Sequence, residues 1–306
     1  MSLRLYTHPA CLGHDTGPTH AERPERLRAV LDAIDGAFPD QSWVPASRAS
    51  RDALLRVHQA AHVDDLLTRQ ANGLEWLDED TVFSPGSLDA ALRAAGAGID
   101  AVDWVMTEPN RQAFCAVRPP GHHAEQAKAM GFCLFNSIAV AAAHALDKGA
   151  HRVAIVDFDV HHGNGTQAIF ASEPRVRFAS SHEMPLYPWT GKADEVGIGN
   201  IFNAPLPNDS GAAEFRAVWS ERLLPAIDAF KPQLVLISAG FDAHRSDPLA
   251  SLQLDTADYA WLTRELVSIA KCHADGRIVS MLEGGYDLNG LAASALAHVQ
   301  VLAGKA

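Results

Sequence analysis

Short apolar stretches and amphipathic stretches alternate along most of this chain. Brief apolar runs bounded by charged residues, glycine or proline predict buried strands, and apolar residues at helical spacing predict helices. The predicted strands are 4–7, 113–117, 152–158, 176–180, 234–238 and 277–282. The first predicted helix begins at Glu22, and the others cover 51–58, 62–70, 87–106, 136–148, 213–230, 256–272 and 288–302. A long loop is predicted at 181–203. Because helices and strands alternate from residue 87 onward, the pattern predicts a parallel sheet with helices on both faces.

The most informative stretch is RVAIVDFDVHHGNGTQ, residues 152–167. As the predicted strand ends, Asp157, Asp159 and His161 occupy alternate positions, so their side chains are expected to project the same way. The glycines that follow allow a sharp turn, and Thr166 is expected to open the next helix. Carboxylate and imidazole groups converging at a strand end are typical ligands of catalytic zinc or of manganese.

Three other predicted strands also end in polar residues. RPPGHHA presents His122 and His123 on a rigid turn, AGFDAH places Asp242 just beyond its strand, and EGGYDL frees the backbone before Tyr286. In open α/β sheets, ligands bind at the carboxyl edge of the strands. The sequence therefore predicts that these segments build one site.

The residue types indicate a hydrolytic metal site. Asp159, His161 and Asp242 would bind one zinc ion and leave positions open for water and a substrate carbonyl. His123 is the candidate general base and then acid, and His122 would stay cationic. Tyr286 is expected to donate its hydroxyl to the oxyanion. Asp157 is expected to orient His122, and Asn164 to orient His123.

RPPGHHA, DFDVHHGNGT, SAGFDAH and EGGYDL resemble the signatures of the zinc-dependent histone deacetylase family. The likeness is nearest to its class II and bacterial deacetylase-like branch, which is related to acetylpolyamine amidohydrolases, and extends to GHDTGPTHAERPERL. It implies an arginase/deacetylase α/β fold with an eight-stranded parallel sheet, in a single catalytic domain over residues 1–306. The implied reaction is hydrolysis of an acetylated amine, typically Nε-acetyl-lysine, to the free amine and acetate.

The resemblance also implies substrate-binding residues. Phe132 and Tyr187 look like the aromatic walls of a narrow tunnel, and Gly131 resembles the residue whose carbonyl accepts the substrate amide N–H. Arg26 is similar to an arginine that lines an acetate exit channel. Leu249 stands where polyamine deacetylases of the family have a gatekeeper glutamate, which disfavours acetylpolyamines.

A second, structural ion is implied as well. By resemblance, a potassium ion lies near Asp157, Asp159 and His161, with oxygen ligands also from Ser180 and Ser181.

Three alternatives stay open. One is an acetylpolyamine deacetylase, and another is a ureohydrolase with two manganese ions. Ureohydrolase sites contain a D-x-H-x-D run, and DFDVHH lacks its last carboxylate. The third is a non-enzymatic acyl-lysine reader built on an inactive scaffold, although all the expected ligands, both histidines and the tyrosine are present.

Composition limits the partners and the compartment. A chain of 306 residues with 47% hydrophobic residues is ordinary for a globular protein, and its net charge of −12 disfavours nucleic acid as a partner. The four cysteines form no C-x-x-C pair, so reduced thiols in the cytoplasm are expected. No signal-peptide core or long apolar span is found, so no membrane partner is predicted. Oligomeric state is left open.

Overall fold

Eight parallel strands form the centre of the computed structural model, which describes residues 2–305. The strands, in chain order, are β1 (Ser2–Thr7), β2 (Trp43–Pro45), β3 (Glu75–Trp76), β4 (Val82–Phe83), β5 (Arg111–Cys115), β6 (Val153–Asp157), β7 (Val176–Glu183), β8 (Ile201–Leu206), β9 (Leu234–Ala239) and β10 (Ile278–Leu282). The large sheet has the order β2-β1-β5-β10-β9-β6-β7-β8, and β3 and β4 form a separate antiparallel pair.

Helices cover the sheet. They are α1 (Pro24–Ala37), α2 (Arg51–Leu54), α3 (Ala60–Thr68), α4 (Ser87–Thr107), α5 (Ser137–Asp147), α6 (Asn164–Phe170), α7 (Ala212–Val218), α8 (Leu224–Phe230), α9 (Thr256–His273) and α10 (Leu288–Leu302). A short 3₁₀ turn covers Pro9–Leu12, and a π-helical turn, Trp219–Leu223, joins α7 to α8. Within residues 2–305, no helix combines the length and the apolar character needed to cross a membrane.

The central strands explain why this sheet is parallel and covered on both faces. Every residue of β6, β9 and β10 is buried, so these strands have no solvent-facing side. Continuous apolar strands of this kind are typical of parallel sheets between two helical layers. The predicted α/β fold with an eight-stranded parallel sheet is confirmed.

Helix ends follow local sequence rules. In α1, Pro24 occupies the first turn, and Leu27, Val30 and Ile34 are buried on one face. Asp255 caps α9, where the N–H groups at the helix start gain carboxylate acceptors. The prediction that Thr166 opens the helix after β6 is wrong, because α6 already begins at Asn164.

Two edge strands were missed. The predicted loop at 181–203 is wrong at both ends, because β7 continues to Glu183 and β8 begins at Ile201. Asn203 and Pro205 interrupt the apolar pattern of β8, which hid this strand in the sequence. A proline fits there because β8 pairs only with β7 and is an edge strand. Strand β2, at the other edge, spans only the three residues Trp43–Pro45, which is too short to show a strand pattern in the sequence.

Two predicted helices are longer than the helices in the structure. The predicted helix 51–58 is regular only from Arg51 to Leu54, and the predicted helix 213–230 is divided by the π-helical turn. Both segments keep apolar residues at nearly helical spacing, which is why periodicity alone did not separate them.

Candidate active site

The four strands whose ends carry polar residues are adjacent in the sheet, in the order β5-β10-β9-β6. Because all four are parallel, their carboxyl ends meet at one edge. The turn after β5 carries His122 and His123, and the turn after β10 carries Tyr286. Segments after β9 and β6 carry Asp242 and Asp159. Topology therefore brings together residues that lie up to 164 positions apart, as in His122 and Tyr286.

Asp159, His161 and Asp242 form a compact cluster of possible metal ligands. Their ligand atoms all lie within 4.8 Å of one another, and all three residues are buried. His161 Nδ1 lies 3.2 Å from Asp159 Oδ1 and 3.2 Å from Asp242 Oδ2. Their other oxygens accept backbone N–H groups, from Gly284 to Asp159 at 2.8 Å and from Val160 to Asp242 at 2.8 Å. Each carboxylate is thus fixed by one oxygen and keeps the other for the cluster.

Glycines make room for this cluster. A Cβ atom on Gly284 would lie 2.0 Å from Asp242 Oδ2, and one on Gly240 would lie 2.0 Å from Asp159 Oδ2. Both distances are far below van der Waals contact. The glycines of SAGFDAH and EGGYDL therefore allow the backbone to approach the carboxylates, which a side chain would displace.

The electrostatics of the cluster suit a cation. Burial lowers the pKa of His161, but its hydrogen bonds with Asp159 and Asp242 outweigh burial and raise the pKa to about 10. Burial raises the pKa of Asp159, but the nearby histidine charges lower it well below its usual value. A proton on His161 thus compensates two buried carboxylates. A divalent ion bound by the three residues would supply that positive charge instead.

His122 and His123 lie side by side, with ring centroids 4.0 Å apart, but their partners differ. His122 Nδ1 donates to Asp157 Oδ2 at 2.9 Å, and its Nε2 lies 3.8 Å from Asp159 Oδ1. Burial lowers the pKa of His122, but the charges of these two aspartates raise it well above its usual value. His122 is therefore cationic near neutral pH.

His123 has a neutral partner. Its Nδ1 lies 2.8 Å from Asn164 Oδ1, and Asn164 Nδ2 donates to Glu125 Oε1 at 2.9 Å. Because a carboxylate only accepts, Glu125 fixes the amide orientation, so His123 Nδ1 carries the proton. Burial and the charge of His122 lower the pKa of His123 well below its usual value. His123 is therefore neutral, with Nε2 free to accept a proton.

A cavity of about 220 Å³ leads to this cluster. Its lining comprises Asp80, His123, Gly131, Phe132, His161, Leu186, Tyr187, Leu249 and Tyr286. The Tyr187 ring meets the His123 ring edge-on at 5.2 Å, and the Phe132 ring meets the Tyr286 ring edge-on at 5.9 Å. Gly131 has φ 57°, and a Cβ atom there would lie 2.4 Å from a carbon of the His123 ring. This position therefore requires glycine for two reasons.

Tyr286 is held from both sides. Its backbone N–H donates to Asp247 Oδ2 at 2.7 Å, and the guanidinium of Arg26 stacks on its ring at 4.7 Å. Burial raises the pKa of Tyr286 well above its usual value, although Arg26 acts in the opposite direction. The hydroxyl is therefore protonated and able to donate a hydrogen bond.

Arg26 lies beneath the cavity rather than on its wall. Its side chain donates to the carbonyls of Gly285 at 2.5 Å and Glu283 at 2.6 Å, and to Glu22 Oε1 at 2.9 Å. Arg118 also binds Glu22, at 2.7 Å, so one carboxylate compensates two buried guanidinium groups. The resulting network supports Tyr286 from below.

Ser180 and Ser181 lie in β7 beside the end of β6, with Ser180 paired to Asp157 in the sheet. Ser180 Oγ lies 2.9 Å from His182 Nδ1, and Ser181 Oγ accepts from Trp219 Nε1 at 3.0 Å. Both serines are buried behind the cluster and line no part of the cavity.

Sequence reasoning missed Asp80 and Asp247. Asp80 ends the acidic segment 75–80 and lines the cavity, and the neighbouring Thr81 Oγ1 accepts from the N–H of Phe132 at 3.1 Å. Asp247 is buried and accepts from the N–H groups of Leu249 and Tyr286, at 3.0 and 2.7 Å. An aspartate directly before Pro248, close after SAGFDAH, was the available signal for Asp247.

Comparisons with known proteins agree with this geometry. A family model described as the histone deacetylase domain matches residues 20–302. A probable deacetylase of Archaeoglobus fulgidus is 40% identical over 298 residues, which cover 95% of this chain and 83% of the relative. Histone deacetylase 14, chloroplastic, of Arabidopsis thaliana is 37% identical over 329 residues, covering 98% and 77%. The crystal structure of the HDA15 HD domain superposes with a TM-score of 0.94 at 38% identity, covering 100% of this chain and 89% of that one.

Proposed function

Because this chain belongs to the histone deacetylase family and has its arginase/deacetylase fold, we propose that residues 1–306 form one catalytic domain that hydrolyses acetylated amines such as Nε-acetyl-lysine. One observation carries the proposal. A neutral histidine, a protonated tyrosine hydroxyl and a cluster of three possible metal ligands adjoin a single narrow cavity with aromatic walls. Acyl transfer to water needs a base, an oxyanion donor and an electrophile in this arrangement.

Asp159, His161 and Asp242 are proposed to hold one zinc ion. The mixed carboxylate and imidazole donors, their separations below 4.8 Å and the glycine cradle around them fit such an ion. When bound, zinc would polarise the substrate carbonyl and lower the pKa of water. The two-manganese alternative has no support, because the described residues 2–305 contain one such donor cluster.

The two histidines divide the proton chemistry. His123 accepts a proton from the attacking water and afterwards donates it to the leaving amine, which requires a neutral ring at the start. Its depressed pKa and its proton on Nδ1 support this role. His122 keeps its proton because of Asp157, and its charge stabilises the anionic transition state. Asn164 keeps His123 in the tautomer that accepts at Nε2.

Tyr286 is proposed to donate its hydroxyl to the oxyanion of the tetrahedral intermediate. Arg26 and Asp247 hold the tyrosine from its ring face and from its backbone, so the hydroxyl needs little reorganisation during the reaction. The exit of acetate past Arg26 stays a proposal. The guanidinium of Arg26 donates to the carbonyls of Gly285 and Glu283 and to Glu22, so passage of acetate would require one of these contacts to open.

The substrate chain is proposed to lie between Phe132 and Tyr187, with the Gly131 carbonyl accepting its amide N–H. Leu249 adds an apolar wall at the cavity mouth, which suits the methylenes of a lysine side chain. An acetylpolyamine would place a further ammonium near this leucine. That alternative is therefore less favoured, although Asp80 is close by.

We also propose a structural potassium ion bound by oxygens of Asp157, Asp159, His161, Ser180 and Ser181. Oxygen-rich, buried surroundings at the end of β6 and β7 support it. Comparing the thermal midpoint in potassium and in choline chloride at equal ionic strength tests this ion. Equal midpoints would contradict it.

Screening the zinc-loaded protein against acetyl-lysine peptides, acetylpolyamines and small acylated amides tests the function. We expect turnover of at least one acetyl-lysine substrate with release of acetate. Turnover of acetylpolyamines alone would assign the second candidate substrate, and no turnover of any acylated amine would favour a non-enzymatic reader. The proposed cytoplasmic location needs a fractionation experiment, because Histone deacetylase 14 and a rice relative both carry chloroplastic in their names.

A further inference from the structure

Glu283 is a fully buried carboxylate directly behind the histidine pair. It follows β10 in EGGYDL, and only 1% of its surface is exposed. Among residues 2–305, no lysine or arginine forms an ion pair with its carboxylate. A buried carboxylate is costly for folding, and the positive charge that acts on this one is that of His122, so its position is tied to the histidine turn.

The carboxylate binds the turn that carries the histidines. Glu283 Oε2 accepts the N–H of Gly121 at 2.6 Å and that of His122 at 3.3 Å. Its other oxygen accepts the hydroxyl of Ser238, at the end of β9, at 3.1 Å. One oxygen thus fixes two consecutive amides, and the second oxygen is itself oriented by the sheet.

The backbone of Glu283 extends the same connection. Its N–H donates to the carbonyl of Ala239 at 3.0 Å, and its carbonyl accepts from Arg26 at 2.6 Å. The next N–H, of Gly284, donates to Asp159 at 2.8 Å. Hydrogen bonds of Glu283 and of the adjacent Gly284 therefore connect the histidine turn, the metal-ligand cluster and the support of Tyr286.

We propose that Glu283 is a positioning residue that fixes the histidine turn relative to the three possible metal ligands. This inference rests on the proposed deacetylase function. Without the carboxylate, the N–H groups of Gly121 and His122 lose their acceptor, and the turn is free to shift. A displacement of about 1 Å costs roughly 100-fold in rate when reacting groups must be aligned.

Glu183 provides a matched control. It is also a buried carboxylate at the end of a strand, and it accepts the N–H groups of Ser251 at 2.8 Å and Leu252 at 3.2 Å. Its partners lie in the loop that also carries Asp247 and Leu249, but they do not contact the N–H groups of Gly121 and His122. Glu183→Ala therefore reproduces the loss of a buried anchor without loosening the histidine turn.

The experiment compares Glu283→Ala, Glu283→Gln and Glu183→Ala as zinc-loaded proteins. For Glu283→Ala we expect kcat to fall roughly 100-fold, with KM within about threefold and the zinc content unchanged. Glutamine keeps one oxygen acceptor, so Glu283→Gln should recover most of the loss. Glu183→Ala should lower the thermal midpoint and leave the histidine turn in place, so the comparison between the two sites rests on amide exchange in that turn.

Amide hydrogen exchange at Gly121 and His122 provides a readout that does not need turnover. We expect faster exchange at both amides in Glu283→Ala and no change in Glu183→Ala. This measurement tests the anchor even if the wild-type protein hydrolyses no acylated amine, an outcome that would reject the proposed function separately.

Wild-type kcat in Glu283→Ala, unchanged exchange at both amides in that variant, or equally fast exchange at both amides in Glu183→Ala would overturn the inference. If Glu283→Ala does not fold, Glu283→Asp decides instead. Aspartate keeps the charge but is one methylene shorter, so it should lower kcat by about tenfold and speed exchange at the same amides. Unchanged values would again overturn the inference.

Discussion

Two pairs of buried histidines lie near the same edge of the sheet, and only one pair is suited to chemistry. The rings of His122 and His123 are 4.0 Å apart, and those of His162 and His182 are 4.7 Å apart. Both pairs are buried, so burial and proximity do not distinguish them.

Their hydrogen-bond partners do. His162 contacts Thr190 and Gln167 at 2.8 and 2.9 Å, and His182 contacts Ser180 and the Gly191 carbonyl at 2.9 and 2.8 Å. All four ring nitrogens of this pair thus have neutral partners, and burial lowers both pKa values, that of His182 to about 4. These rings hold the 190–191 loop.

In the first pair, carboxylates make His122 cationic. Burial and the charge of His122 keep His123 neutral, and its amide partner occupies only one ring nitrogen. The comparison teaches that a chemical site needs unequal partners and an unused atom beside a cavity. A histidine whose two nitrogens are both satisfied by neutral groups is part of the scaffold.

The largest effect on activity is expected from removing one of the proposed zinc ligands beside His122 and His123. Asp159→Asn and Asp242→Asn should lose zinc and activity together, because a three-ligand site with open positions cannot spare one. Zinc content by atomic spectroscopy and kcat/KM measure this. The control is Asp258→Asn, which changes a buried carboxylate that pairs with Arg216 at 2.7 Å. This variant should keep both its zinc and its activity. An active, zinc-loaded Asp159→Asn protein would contradict the assignment.

Replacing one histidine from each pair tests the comparison directly. His123→Gln should lower kcat by about 10²–10⁴-fold, because it removes the general base. His182→Gln should stay within about threefold of wild type, because the ring meets no substrate atom. Steady-state kinetics on one acetyl-lysine peptide distinguishes the two, and similar losses in both variants would reject the distinction.

Tyr286→Phe should lower kcat by roughly 100-fold while zinc stays bound, because only the oxyanion donor is removed. Tyr259→Phe is the matched control. Tyr259 is buried, and its hydroxyl has no hydrogen-bond partner among the described residues, so its loss should leave turnover unchanged. Full activity in Tyr286→Phe would show that the oxyanion donor lies elsewhere.

The smallest effect is expected on the pH dependence of stability. The folded pKa of His182, about 4, lies below its unfolded value of about 6.5, so the unfolded state binds more protons between these values. Its contribution to stability is complete above about pH 6.5 and is lost as pH falls to about 4. Chemical unfolding of metal-free protein should therefore show a shallower loss over this range in His182→Gln. An unchanged slope would mean that His182 is not buried as a neutral ring.

The sequence alone predicted the class of fold and most of its central strands. Continuous apolar runs such as those of β6 and β9 require burial on both faces, so local composition is enough to find them. Edge strands β2 and β8 were missed because β2 is only three residues long and Asn203 and Pro205 interrupt the apolar pattern of β8. The three candidate ligands, the histidine pair and Tyr286 could be selected from the sequence because turn glycines and polar residues mark the strand ends.

What only the tertiary structure decided is which polar groups touch. Sequence places Glu283, Asp247 and Asp80 in turns and loops. The hydrogen bonds of Asp247 to Tyr286 and of Glu283 to Gly121 span 39 and 162 residues of chain, and spacing carries no information at that range. Likewise, His122 and His123 are neighbours in sequence but have opposite protonation. Asp157 and Asp159 keep His122 charged, and burial together with that charge keeps His123 neutral. Strand order brings those residues to the histidines, because charge and burial act through space rather than along the chain.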